Sequence, residues 1–275
     1  MGSLKAIFKF YINSSIHVAL AVACLCLITL YDFDLPVDWN LIFFCFFATI
    51  SGYNFIRYFG LAKFHHRSLA VWLKQIQIFS FLCFIPLAYF TLQLERLTIY
   101  YLIGLGLITF FYAIPFLPKS LFIDGSKNLR AISGLKIYVI AFVWCIVTVI
   151  IPLINEGHGI NNDAILTTVQ RFLYVLIVML PFEIRDMQYD SLKLSTIPQQ
   201  IGVKQTKIIG AILLVAFFLI EFFMDDTGVA KIVILGTISV IVLWFLLISK
   251  VQQPEYYNSF FVEGIPVVWF LLKLL

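Results

Sequence analysis

The sequence predicts an all-α, polytopic integral membrane bundle of about nine transmembrane helices, and three observations predict it. Charged residues make up 12% of the chain and hydrophobic residues 62%, against about 25% charged in a soluble domain. Most of the length falls into apolar runs of about 20 residues, enough to cross a hydrocarbon core roughly 30 Å thick. If the N-terminus and every second loop lie on one side, that side holds all but Arg96, Arg171, Lys231 and Lys273 of the 19 Lys and Arg residues. A 15-to-4 split of those 19 is the asymmetry of a chain inserted with its basic loops in the cytoplasm.

The runs lie at 10–31, 39–60, 69–92, 98–118, 133–154, 164–182, 206–224, 230–249 and 258–275. The first follows Lys5 and Lys9 and is too long for the apolar core of a cleavable signal, so it is expected to remain as an anchor. Asp32, Asp34 and Asp38 fill the short loop behind it. The loops after the second, fourth and sixth runs are longer and charged. Gly264 and Pro266 interrupt the last run, which also holds Glu263, so it is expected to tilt, kink or cross only in part. The basic side carries the N-terminus and is expected in the cytoplasm, and an odd number of spans then puts the C-terminus outside, in a membrane of the bacterial inner-membrane type. Residues 1–275 read as a single transmembrane domain. A coarse echo divides it into halves of about 1–130 and 131–250 plus a final helix at 258–275. Repeats of that kind place ligand sites between halves.

Composition excludes several functions. No basic stripe on a soluble face is present, so no nucleic-acid partner is expected. Cys24, Cys26, Cys45, Cys83 and Cys145 all lie in apolar runs without metal-ligand spacing and read as small core residues. His65 and His66 point apart on a helix and lack a third ligand. His17 is expected to hydrogen-bond between helices. Arg171 and Glu221, toward the outer ends of their runs, are expected to snorkel to the interface.

The chemistry concentrates where the sixth run ends, in Leu180-Pro181-Phe182-Glu183-Ile184-Arg185-Asp186-Met187-Gln188-Tyr189-Asp190. If the helix persists, Glu183, Asp186 and Asp190 stand at i, i+3 and i+7 on one face, with Arg185 pointing elsewhere. Carboxylates at the mouth of a membrane helix face protein, water or an ion. The plainer alternative is a solvated helix end, with Arg185 and Lys193 as counter-charges.

Asp186 to Asp190, followed by Thr196-Ile197-Pro198-Gln199-Gln200-Ile201-Gly202, resembles the second motif of the UbiA-type intramembrane prenyltransferases. That motif is D-x-x-x-D followed by a segment ending T-(I/L)-P-x-x-(I/L)-G. Tyr112-Ala113-Ile114-Pro115, with Lys119, Lys127 and Arg130 behind it, is similar to a weaker pattern of the family. The resemblance implies a nine-helix fold and transfer of an isoprenoid from its diphosphate to an aromatic or lipid acceptor. It also implies Mg²⁺ on Asp186 and Asp190, and substrate contacts from Asn54, Arg57, Tyr112, Lys127, Arg130 and Glu183. The chemistry requires such groups, because an allylic diphosphate leaves only when its roughly three negative charges are neutralised by metal ions or cations.

The chain departs from the family at the first motif, N-D-x-x-D-x-x-x-D. Asn54 stands at its start, but Phe55, Tyr58 and Ala62 replace the acids, and no carboxylate occurs between Asp38 and Glu95. Arg57, Lys63 and Arg67 make that half of the site cationic. Two readings follow. Arg57 and its neighbours contact the diphosphate directly beside one Mg²⁺, as guanidinium suits phosphate. Otherwise the chain has lost catalysis and serves as an isoprenoid- or lipid-binding membrane subunit, with room for a protein partner. The same cations would also serve as a belt touching the headgroups of membrane lipids. A transporter is a third class, supported only by the generic bundle with Pro- and Gly-broken spans.

Overall fold

The computed structural model describes residues 2–64, 71–113, 135–188, 196–225 and 227–275, with side chains except at 2–3, 57–64, 71, 112 and 113. Every regular element among them is helical. Six are long and apolar enough to cross a bilayer: Trp39–Ile56, Trp72–Thr91, Leu135–Asn155, Asn162–Asp186, Ile197–Phe223 and Val229–Ile248. A seventh is a bent pair, α1 (Gly2–Asn13) and α2 (Ile16–Asp32), meeting at 57°. The remaining predicted runs are a shorter apolar helix, Arg96–Phe111, and a terminal segment broken at Gly264.

The bend in the first run was not foreseen. Ser15 takes a left-handed backbone (φ 63°) that ends α1 and restarts the chain as α2. Asn54 on α3 (Trp39–Phe64) holds it there, its Oδ1 accepting from Ser15 Oγ at 2.8 Å and its Nδ2 donating to Ser14 O at 2.9 Å. The same Nδ2 reaches Ser80 Oγ at 2.8 Å on α4 (Val71–Thr91). In lipid the apolar surface of a helix gains little by leaving the tails, so close packing and such bonds do the joining. Behind the bend, α2 is buried from His17 to Leu30 except at Leu20. Its small residues Ala19, Ala21, Ala23, Cys24 and Cys26 let neighbours approach from every side. All five cysteines are buried and unbridged, as expected. α5 (Arg96–Ala113) packs beside this half through Leu105.

α6 (Leu135–Cys145) widens into a π-helical turn, Ile146–Ile150, before α7 (Ile151–Asn155). Pro152 has no N–H to offer the carbonyl of Thr148 four residues earlier. Thr29 on α2 supplies the missing donor, its Oγ1 lying 2.7 Å from Thr148 O. Such cross-helix repair is how membrane helices tolerate proline.

α8 (Asn162–Asp186) begins at Asn161, whose Oδ1 accepts from Ala164 N at 2.8 Å. Its buried stripe, Gln170, Arg171, Tyr174, Ile177, Leu180, Pro181 and Ile184, repeats every three or four residues. α9 (Ile197–Ile220) and α10 (Val229–Ile248) pack on α8 around Gly210, where an added Cβ would sit 2.5 Å from Leu246 and 2.7 Å from Leu180. A second π turn, Tyr257–Val262, and α11 (Ile265–Lys273) close the bundle against α2.

Arg171 and Glu221 do not snorkel. Glu221 is fully buried, paired with Lys231 at 3.0 Å and accepting from Gln170 Nε2 at 3.1 Å. Arg171, 2% exposed, donates to Leu25 O at 3.2 Å and Thr29 Oγ1 at 3.4 Å and lies 5.2 Å over the Trp269 ring. Arg171 lies well inside α8, and Glu221, although at the end of α9, is covered by Gln170 and Lys231 from neighbouring helices. His17 does bridge helices, between Tyr11 OH at 2.8 Å and Phe260 O at 2.9 Å.

Candidate functional site

The acidic stretch ends α8. The helix stops at Asp186, and Met187 and Gln188 form a turn, so it does not continue toward Asp190. The single face expected for three acids therefore holds two, Glu183 and Asp186; Asp190 lies outside the described residues. The next segment explains its own sequence. Thr196 caps α9, its N–H donating to Gln199 Oε1 at 2.9 Å, with Pro198 in the first turn. Gly202 then takes φ 81°, ψ 156°, a region open in practice to glycine alone, and kinks the helix. This helix starts about ten residues before the predicted run at 206, because the Thr-Ile-Pro segment is its cap and not a loop.

Lys136, on the first turn of α6, joins the two acids. Its Nζ lies 3.3 Å from Glu183 Oε1 and 3.2 Å from Asp186 Oδ2. Arg185 does not point elsewhere: its guanidinium turns back onto Asp186 Oδ1, at 2.8 Å from one terminal nitrogen and 2.9 Å from Nε. Glu183 is 2% exposed, and the side chain of Asp186 19%. The end of α8 is held from outside by Gln253 and Asn258, both donating to Pro181 O, and by Gln188 reaching Val251 O. Two carboxylates and two cations thus share one anchored helix end.

Phe182 connects this cluster to the interior. Arg185 Cζ lies 5.4 Å over its ring, and the ring also lines an apolar chamber between α2, α3, α6, α8 and the second π turn. The chamber is narrow, its free volume about 30 Å³, room for a water or two. Tyr53, Trp144, Tyr174 and Phe182 give it aromatic walls, and Val18, Val175, Val178 and Met179 aliphatic ones; Glu263 adds a carboxylate. Among the described residues the polar crevice lies near the opposite end of α8, between Asp32, Asp34, Asp163 and Lys231.

The other predicted site residues are placed less directly. Asn54 is 3% exposed, and its amide is spent on Ser14, Ser15 and Ser80. Its neighbour Tyr53 is the residue of that segment that lines the chamber. The side chains of Arg57 and Tyr112, and all of Lys127 and Arg130, lie outside the described residues. Sequence reasoning missed Lys136. Its signal was a lysine at the start of an apolar run, where a charge needs a carboxylate partner.

No family model matches this chain, and no curated protein matches it. Two solved structures do. One, described as giving structural and mechanistic insights into the biosynthesis of digeranylgeranylglyceryl phosphate synthase in membranes, aligns with 100% of this chain and 96% of its own at TM-score 0.56 and 13% identity. The other, the apo structure of a UbiA homolog from Aeropyrum pernix K1, aligns with 96% of this chain and 98% of its own at TM-score 0.59 and 12% identity. End to end, the chain is an integral membrane protein with the UbiA-type fold.

Proposed function

We propose that the chain is a divergent UbiA-like membrane prenyltransferase that takes an isoprenoid diphosphate at the end of α8. The observation that carries this reading is the ion cluster of Lys136, Glu183, Arg185 and Asp186 set, through Phe182, on an apolar aromatic chamber. A charged headgroup and a hydrocarbon tail need that adjacency.

In this reading Lys136 and Arg185 exchange their carboxylate partners for diphosphate oxygens. The carbon–oxygen bond of the allylic diphosphate breaks with both electrons going to the leaving group. The faces of Trp144, Tyr53 and Phe182 shelter the allylic cation from water and stabilise it by their quadrupoles. An electron pair of the acceptor then forms the new bond, and the acceptor loses a proton. The four charges of the cluster already balance, so the headgroup requires further cations. Arg57, Lys127 and Arg130, with Tyr112, are the proposed contacts.

Mg²⁺ fits the described residues poorly. Lys136 and Arg185 occupy both oxygens of Asp186, and no group of three His, Cys, Asp or Glu residues among the described ones could hold a metal. Magnesium therefore rests on Asp190 joining Asp186, which is a proposal. The test is pyrophosphate release from prenyl diphosphates of several chain lengths, with and without Mg²⁺. Release that Asp186→Asn abolishes supports transfer.

A second reading is favoured by Asn54, which is consumed in packing, and by Phe55, which stands 39% exposed where the family carries an acid. It makes the chain a non-catalytic isoprenoid- or lipid-binding subunit. Binding of the diphosphate without release, in company with a co-purifying protein, would select it.

A further inference from the structure

Positive charge without counter-charge gathers where the start of α9 meets the end of α10. Lys207, on α9, reaches across the seam, its Nζ donating to Leu247 O and Ser249 O, each at 2.7 Å. That brace fixes a lysine on the last carbonyls of α10, the negative end of the helix. Lys204 stands one turn earlier on α9, and Lys250 follows Ser249 directly; both are exposed. Neither has a carboxylate within ion-pair distance among the described residues, in contrast to Lys136, Lys231 and Lys273. Apolar surface adjoins them. Ile208 and Ile212, four and eight residues beyond Lys204 on the same face of α9, are 44% and 63% exposed. Trp244, Leu247 and Ile248 are exposed on α10 within six residues of Lys250. A tryptophan and lysines together at the end of a membrane span mark the level of the lipid headgroups. Two free ammonium groups thus stand at headgroup depth, with hydrocarbon-facing surface directly beside them. A water-soluble phosphate would meet the charge and gain nothing from that surface.

We propose that this seam binds one anionic phospholipid, its headgroup phosphate between Lys204 and Lys250 and its acyl chains along Ile208 and Ile212. Basic pockets between membrane helices hold acidic headgroups in this way. A zwitterionic phospholipid fits less well, because its own cation meets the lysines. Bound there, the lipid ties α9, just beyond its kink at Gly202, to the end of α10. The assignment does not depend on prenyl transfer, and it holds for a carrier as well as for an enzyme.

The probes are phosphatidylglycerol and phosphatidylcholine with identical acyl chains, titrated into the full chain in detergent micelles. Native mass spectrometry counts the lipids bound. The wild-type protein takes its first phosphatidylglycerol about tenfold more tightly than its first phosphatidylcholine. Lys204→Gln/Lys250→Gln lowers that preference at least about fivefold, the share of one lysine at a membrane surface. Its phosphatidylcholine affinity stays unchanged, which shows the fold intact. Lys5→Gln/Lys9→Gln removes the same charge from exposed positions of α1 and leaves the preference as it was. Glycerol phosphate and pyrophosphate in excess do not displace the bound lipid. Equal affinities in the wild type, or an undiminished preference in Lys204→Gln/Lys250→Gln, would overturn the proposal. So would an equal loss in Lys5→Gln/Lys9→Gln, which would make the effect one of net charge. Displacement by either soluble phosphate would also overturn it, by making the seam a site for free phosphate.

Discussion

Replacing Lys136 with methionine tests the ion cluster most sharply. Methionine keeps most of the aliphatic stem and removes the charge that bridges Glu183 at 3.3 Å and Asp186 at 3.2 Å. Asp186 keeps Arg185 and some solvent, so its loss is small. Glu183 is only 2% exposed and loses its close cation, leaving charge in a low-dielectric setting. Breaking a buried pair from one side costs about 3–5 kcal/mol. Lys136 keeps 23% of its side chain in solvent, which brings the expectation to about 2–3 kcal/mol. Glu183→Gln alone removes the charge and keeps the shape, at an expected cost below about 1 kcal/mol. The double variant then recovers at least about 1 kcal/mol of the Lys136→Met loss, a coupling of the size expected for side chains in contact. Unfolding by dodecyl sulfate in mixed micelles, followed by circular dichroism, measures all four proteins. A Lys136→Met protein within about 0.5 kcal/mol of wild type, or strictly additive losses, would refute the cluster as described.

Two further predictions use the same assay. Thr29→Val, nearly isosteric, removes the donor for Thr148 O and the acceptor for Arg171 NH2, and is expected to cost about 1–2 kcal/mol; an unchanged midpoint would show that the carbonyl opposite Pro152 is served otherwise. Gly264→Ala brings a Cβ to 2.6 Å from the backbone oxygen of Phe260 and 3.1 Å from His17 Nε2, and is expected to cost about 1–3 kcal/mol. Gly236→Ala meets only Phe218 at 3.6 Å inside α10, so it should be neutral or stabilising by up to about 1 kcal/mol; equal effects at the two glycines would contradict the packing around His17.

How much of this was legible in the sequence depended on whether the signal was local. Span lengths are local, and the long helices fall where the apolar runs do. The last run broke where Gly264 and Pro266 said it would. The bend at Ser15 was not legible, because it is held by Asn54 and by Ser14 across a turn, contacts that no window on one helix contains. The structural part played by Asn54 was hidden for the same reason: its three bonds join helices far apart in the chain. Arg171 and Glu221 looked interfacial by distance from a run's end, but helices that are apolar all round do not reveal which face meets a neighbour. The shared face of Glu183 and Asp186 was legible because a helical repeat places them together. Lys136 was missed because its link to them joins helices 47 residues and more apart in the chain. The Thr-Ile-Pro segment was recognised as a motif, though its physical role, a cap followed by a glycine kink, emerged only from the backbone.

The central claim is that the end of α8 grips a diphosphate headgroup while the chamber beneath takes its hydrocarbon. Equilibrium binding of a non-ionisable thiolo analogue of a prenyl diphosphate, with the matching prenyl alcohol as control, tests it most directly. The account predicts that the diphosphate binds at least about tenfold more tightly than the alcohol, a preference of 1.4 kcal/mol or more. It also predicts that Lys136→Met and the Asp186→Asn/Asp190→Asn double variant each reduce that preference while leaving the alcohol's affinity alone. Equal binding of diphosphate and alcohol, or a preference that survives both variants, would contradict it.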